Sequence, residues 1–263
     1  MTTPTCRAFP ELTLLSLPRL RARDDRADAD EGAWFPLLIR ALRHPVAVAR
    51  TGRLLCRLPV VQIEVTDSHA GQAIRRVVEH RRLGLPTGRL ARSALAIPAD
   101  ADAYTKGSRR QALRTNVARA KRQGVVAERV QPAALTDIAR RVADDAWREH
   151  LMWSARTMQP YDDSSAICIV ANDVDGTALA VAAAIVDDKV AYLTAHISSH
   201  QPAASDARYL VALGLVDALA AQGVAVLFST SALSMSRNLA YFGHLLGFAP
   251  CNLQVRHRDA LPT

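Results

Sequence analysis

Two stretches decide how this chain folds: VAYLTAHISSHQPAASDARYLVALGL, Val190 to Leu215, and VAVLFSTSALSMSRNLAYFGHLLGF, Val224 to Phe248. Val190 to His196 is apolar and begins with a β-branched residue, which suits a buried strand. The run Ser198 to Ala204 is polar, contains Pro202 and reads as a loop. Ser205 and Asp206 then offer N-caps for a helix through Ala221, because their oxygens can accept from free amides of a first turn. Gly223 ends that helix, and Val224 to Phe228 is a further buried strand. Ser234 or Ser236 caps a last helix, which closes on Leu246-Gly247-Phe248.

Outward from this core, Ile167 to Ala171 and Ala178 to Val186 read as strands joined by the hairpin turn Asn172-Asp-Val-Asp-Gly176. Ala178 to Val186 is almost continuously apolar, the mark of a strand covered on both faces. Asp187-Asp188 makes the next turn, and Cys251 to Arg256 is a closing strand. From Ala166 to Arg256 the order is therefore three strands, helix, strand, helix, strand. Upstream, Val60 to Thr66 alternates as a strand, and Ser68 caps a helix from His69 to about Arg82. Leu90 to Ile97 is another strand. Asp100 to Tyr104 opens a short helix, and Ser108 to Gln123 forms a basic helix stopped by Gly124. Val125 to Val130 returns as a strand, and Pro132 starts a helix over Ala133 to about Trp153.

The expected organisation is a charge-dense, poorly ordered segment 1–31, an N-terminal α/β lobe 32–130, a C-terminal lobe 131–258 and a tail 259–263. Trp34 to Leu58 is basic and amphipathic, and reads as two helices split at Pro45. No internal repeat is found, although both halves share a mixed α/β rhythm that a two-lobed, pseudo-duplicated domain would produce.

The net charge is +8 and the pI about 9.8, which favours anionic partners such as RNA, CoA phosphates or a lipid surface. Lys occurs only at Lys106, Lys121 and Lys189 among the 33 basic residues, so the charge is overwhelmingly Arg. Cys6, Cys56, Cys168 and Cys251 are scattered and lack metal-ligand spacing, so no metal site or disulfide framework is expected. With no apolar run of spanning length and no charged-then-apolar leader, the expected location is the cytoplasm. Gly-x-Ser-x-Gly, Walker A and Gly-x-Gly-x-x-Gly motifs are all absent.

Two constellations remain. A helix N-terminus after the loop Ser198 to Ala204 could take a phosphate, with His200 and Arg208 adding charge and Asp206 opposing it. In the basic segment, Lys106, Arg110, Arg114 and Lys121 stand among further Arg residues with no acid between Asp102 and Glu128. Leu113, Val117 and Ala120 form the apolar stripe beside them. Such a helix can dock and still present a cationic ridge to phosphate, or simply a solvated face.

The unit Tyr192 to Phe248 resembles the GNAT superfamily of acyltransferases. Asn238-Leu239-Ala240…Leu246-Gly247-Phe248 is similar to its "Asn-x-Ala…Gly-Phe" helix, one residue short. The resemblance implies a mixed, mostly antiparallel central sheet flanked by helices. It further implies acyl-CoA as co-substrate, with Ala195, Ile197, His200, Ser205, Ala207, Arg208 and Asn238 on the donor side. Gln201-Pro202-Ala203-Ala204-Ser205 lacks the family's glycines, which fits a weakened donor site or a donor other than acetyl-CoA. Tyr104 to Val125 is similar to the "Arg-x-x-Leu/Ile-Arg…Ala…Gly-Val" helix of Fem-type transferases, several of which use charged tRNA.

Acyl transfer to a small-molecule or peptide amine needs a base and an acid. Tyr192, His196 and Tyr241 are the candidates, on segments expected to converge, and Trp147, His150 and Trp153 are candidates for lining the acceptor side. The expectation is an N-acyltransferase fed by acyl-CoA. A charged-tRNA-dependent aminoacyltransferase and a non-catalytic nucleic-acid or protein-binding module of the same fold are the alternatives.

Overall fold

The computed structural model describes residues 45–81, 87–142, 165–232 and 235–257. The linker 1–31, the first half of the amphipathic segment, Trp147, His150, Trp153 and the tail lie outside the described residues. Fifteen main elements are described. Pro45–Cys56 is α1, Val60–Val65 β1, His69–Val78 α2, Arg92–Ala96 β2, Ala101–Thr105 α3, Gln111–Arg122 α4, Val126–Val130 β3 and Pro132–Val142 α5. Ala166–Asn172 is β4, Ala178–Asp187 β5, Val190–Ser198 β6, Ala204–Ala221 α6, Val226–Ser231 β7, Arg237–Leu246 α7 and Ala249–His257 β8.

The strands form one sheet in the order β1-β8-β2-β7-β6-β5-β4-β3. Pairing is antiparallel except for β1 with β8 and β6 with β7. The architecture is the mixed, mostly antiparallel sheet flanked by helices. Its strands come from both sides of residue 130: β3 closes one edge on β4, while β1 and β2 hold β8 at the other.

Alternation along β5 builds both helix layers. Ala180, Ala182 and Ala184 face α4 and α6, where Leu113, Val117, Leu215 and Leu219 pack. Val181 and Ala183 face α5, with its Leu135, Ile138 and Val142. The same face continues under α2, where Ile74 and Val78 meet Ile63, Val65, Phe228 and Leu253. The apolar continuity of β5 is thus explained by helices on both sides.

Local chemistry sets most boundaries. The Ser68 hydroxyl caps α2 by accepting from the Gly71 amide at 2.9 Å, and Ser236 caps α7 by accepting from Leu239 at 3.2 Å. The cap expected at Ser205 or Asp206 is corrected: α6 starts at Ala204 after the N-cap Ala203, with no side-chain cap. Asp187 also departs from its expected turn, because it ends β5 as a buried carboxylate. It accepts from the Thr66 amide at 2.7 Å, the Thr66 hydroxyl at 2.5 Å and the Ser68 hydroxyl at 2.8 Å. One carboxylate therefore ties the start of α2 to the central sheet. A Cβ at Gly71 would overlap the Thr66 carbonyl, so only glycine permits that approach.

Replacing Asp187 with Ala removes three charge-assisted bonds and strands the Thr66 amide. The expected loss is about 2–4 kcal/mol of unfolding free energy, measured by urea denaturation. A Gly71→Ala chain is expected to be destabilised as well, with α2 displaced from β5.

Candidate active site at the split between β6 and β7

Strands β6 and β7 pair in parallel at three positions only: Val190 with Val226, Ala191 with Leu227 and Tyr192 with Phe228. Beyond Tyr192 they part. Where they part, β6 carries a bulge. Ala183 of β5 stands opposite Ala195 and Ala184 opposite Leu193, which leaves Thr194 as the extra residue, its hydroxyl on the Ala183 carbonyl at 3.1 Å. A bulge shifts every later side chain to the other face.

The segments expected to converge do meet at the split, but the bulge separates Tyr192 from His196. In an unbroken strand these even-numbered residues would share a face. Instead Tyr192 lies with the α2 layer, its ring 5.1 Å from that of Phe228. His196 turns to the α6 and α7 side, and Ala195 and Ile197 turn to the α5 layer. Burial pushes the Tyr192 phenol up, partly offset by the Arg92 guanidinium. Tyr241 stands on the exposed side of α7, 62% accessible, so the three candidate catalytic residues are not brought together.

A narrow pocket of about 50 Å³ opens at the split. Leu193 and His196 of β6, Leu227 and Ser229 of β7, and Ser93 and Leu95 of β2 form its sheet side. Helix α6 contributes Ala212, Leu215 and Val216, and α7 contributes Phe242 and Leu246. His196 holds its ring against Phe242, centroids 5.1 Å apart, and Phe242 meets Tyr209 edge-on at 5.0 Å. The Arg208 guanidinium also lies over the Phe242 ring, 4.4 Å from its centroid. His196 Nε2 lies 3.2 Å from the Arg208 carbonyl, an acceptor, so Nε2 carries the hydrogen and Nδ1 is the ring's acceptor. Burial lowers its pKa to about 4, with the Arg208 carbonyl working in the opposite direction.

The donor-side residues are scattered. His200 and Asn238 are exposed, and Ala207 is fully buried. The Ser205 hydroxyl donates to the Pro202 carbonyl at 3.0 Å, and Arg208 Nε donates to the Ser205 carbonyl at 3.1 Å. The first amides of α6 are already engaged. Ala204 donates to Gln201, Ser205 to Pro202, and Asp206 and Ala207 to Ala203. The buried Asp206 carboxylate sits in that turn, 3.6 Å from Arg119 of α4. A helix N-terminus so arranged has little left to offer a phosphate.

The basic segment is used in a way the sequence reading missed. Arg110 turns inward: its guanidinium lies 4.9 Å over the Tyr104 ring and donates to the Leu245 carbonyl at 3.3 Å. The Tyr104 hydroxyl donates to the Leu246 carbonyl at 2.9 Å. Burial pushes the Tyr104 phenol up to about 12, so it remains a donor. Together they hold the C-terminal carbonyls of α7, where a cation also complements the helix dipole. Arg114 donates to Thr105 at 2.6 Å and Gly107 at 2.8 Å, closing α3. Lys106 lies 3.8 Å from Asp100, and Lys121 is exposed. Gly247 belongs to the same arrangement. It caps α7 at φ 88°, and a Cβ there would overlap the Arg110 guanidinium.

No protein-family model matches the sequence, and no curated protein matches it. Among solved structures, the chain is similar to FemX, with 11% identity, a TM-score of 0.46 and coverage of 61% of this chain and 59% of that one. It is also similar to L-PGS from Bacillus licheniformis, with 15% identity, a TM-score of 0.42 and coverage of 62% and 58%. A third is a GCN5-related N-acetyltransferase from Kribbella flavida, with 16% identity, a TM-score of 0.33 and coverage of 62% and 54%. The chain thus spans less than two thirds of the length of each. No helix among the described residues is long and apolar enough to cross a membrane.

Two outcomes follow from this geometry. Gly247→Ala combines positive-φ strain with displacement of Arg110, and should cost about 1–3 kcal/mol; Arg110→Ala should largely remove the steric part in a double-mutant cycle. His196 gives the pH dependence. Its folded pKa lies below the ordinary 6.5, so the unfolded chain binds more protons between about pH 4 and 6.5. Its contribution is complete above pH 6.5 and is lost as pH falls towards 4, on the order of 3 kcal/mol at most. Thermal melts of the His196→Gln chain should show a flatter acid limb than the parent.

Proposed function

We propose that this chain transfers an acyl group to an amine at the split between β6 and β7, with an acyl-CoA as donor. The observation that carries the reading is the split itself. Two parallel strands part directly over an apolar pocket, and among the described residues β6 beyond Tyr192 has no partner on its β7 side. In this reading the thioester carbonyl lies at the mouth of the pocket. The acceptor nitrogen attacks it, the C–S bond breaks as the tetrahedral intermediate collapses, and the proton shed by the nitrogen ends on the departing thiolate. Ala195 and Ile197 pair with Ala183 and Val181 of β5, so the main-chain amide of His196 between them, which faces the gap, would receive the developing oxyanion. Approach and orientation supply most of the acceleration.

His196 is a poor match for a general base towards an ammonium, since it is neutral far below physiological pH. With Nε2 donating to Arg208, its Nδ1 is the nitrogen that would accept a hydrogen bond from an amine that arrives uncharged. The rate should therefore rise with pH along the acceptor's own titration, with no inflection near 6.5.

The reading is tested by thiol release from acyl-CoAs in the presence of primary amines, followed across pH. Amine-dependent release that falls about tenfold or more in His196→Asn supports it. If acyl-CoAs neither raise the melting temperature nor release thiol, this donor is wrong. A second donor has its own support: the first-turn amides of α6 are engaged and Asp206 occupies that turn, whereas Lys121 and Arg122 of α4 are exposed. Charged tRNA would then be the donor, and Lys121→Glu with Arg122→Glu should weaken tRNA binding and reduce its salt dependence. Tight RNA or protein binding without transfer from either donor would instead identify a non-catalytic module.

A further inference from the structure

We propose that the slot between β6, β7, α6 and α7 receives a short, uncharged, apolar acyl chain and turns away acyl groups that carry a cation. The inference deepens the transfer reading and rests on it for the chemistry, but binding in the slot is independent of whether transfer occurs.

Size is the first argument. The slot measures about 50 Å³, and one water-sized group needs about 10–15 Å³, so roughly four heavy atoms fit inside. The acyl carbonyl stays at the mouth, where the strands part, and the tail runs inward between the helices. A butyryl chain fills such a slot, an acetyl group leaves it part empty, and a long chain overfills it.

Chemistry is the second argument. The walls are set by Leu95, Leu193, Leu215, Leu227, Phe242 and Phe248, and among the described residues the lining contains no Asp or Glu. Its larger polar groups are already oriented: the Tyr104 hydroxyl donates to Leu246, and His196 Nε2–H to Arg208. An ammonium at the end of an acyl chain would be stripped of water with no carboxylate to meet it. It would also approach two cations, Arg110 over Tyr104 and Arg208 over Phe242. An apolar tail loses nothing of this kind and gains contact with every wall.

The slot is also held open by fixed parts. The bulge at Thr194 places His196 and Leu193 on one side. Arg110 and Tyr104 fix the end of α7 on the other. A preformed slot discriminates by fit, and one methylene more or less in an apolar pocket changes recognition by about 10–200-fold.

The experiment uses N-acetylcysteamine thioesters of acetate, butyrate, decanoate and aminohexanoate, which carry neither phosphate nor RNA. Binding to the full chain is measured by calorimetry or saturation-transfer NMR. Butyryl should bind at least tenfold more tightly than acetyl and aminohexanoyl, with decanoyl weaker than butyryl. Ala212 lines the slot, so Ala212→Val should shift the preference towards acetyl while its circular dichroism and cooperative melting remain those of a folded chain; Ala212→Phe should abolish butyryl binding. Equal binding across the series, a preference for aminohexanoyl, or an unchanged preference in folded Ala212→Val would overturn the proposal. Butyryl bound but never transferred would uphold the slot and overturn the transferase reading. Transfer without chain-length preference would uphold the transferase and overturn the slot.

Discussion

Three residue pairs join β6 to β7, and the rest of the site depends on their pairing going no further. Val190 to Tyr192 are held against Val226 to Phe228 by a parallel ladder, with the Tyr192 ring tilted against that of Phe228. The bulge at Thr194 then turns β6, and a bulge both bends a strand and sharpens its twist. A sheet that continued flat would leave no room between α6 and α7. Because it parts, the residues beyond the last pair look across a gap lined by both helices.

Keeping that gap fixed requires an anchor for α7, which closes one side and ends in carbonyls lacking helical partners. The chain solves this from a distance of more than a hundred residues, by bringing Tyr104 and Arg110 onto the carbonyls of Leu245 and Leu246. The left-handed Gly247 opens the space that the guanidinium occupies. The basic segment and the Gly-Phe helix ending, two separate features of the sequence, are therefore the two halves of one joint.

That joint changes the meaning of the positive charge. Arg110 and Arg114 complete helix ends and Arg119 meets Asp206, so part of the cationic ridge is internal structure. Lys121 and Arg122 remain exposed on α4. At the start of α6 the local bonds of Gln201, Pro202 and Ala203 satisfy amides that a phosphate would otherwise meet. The pocket at the split is thus better furnished for an apolar group than the start of α6 is for a phosphate.

Most elements and several of their ends were readable from the sequence, though not the start of α6. Apolar continuity marked β5 as covered twice, and Ser68, Ser236 and Gly247 marked helix ends, because capping and alternation are local and depend on residues a few positions apart. The site was less legible. His196 was identifiable as a candidate, but its separation from Tyr192 was not, because the bulge at Thr194 exists only through the strand opposite it. The inward turn of Arg110 was hidden for the same kind of reason: a guanidinium's partner is whichever carbonyl the fold brings within reach, and Leu245 lies in another helix. Register, which face a side chain takes and which charges are neutralised were decided by tertiary structure, since each depends on contacts between segments far apart in the chain.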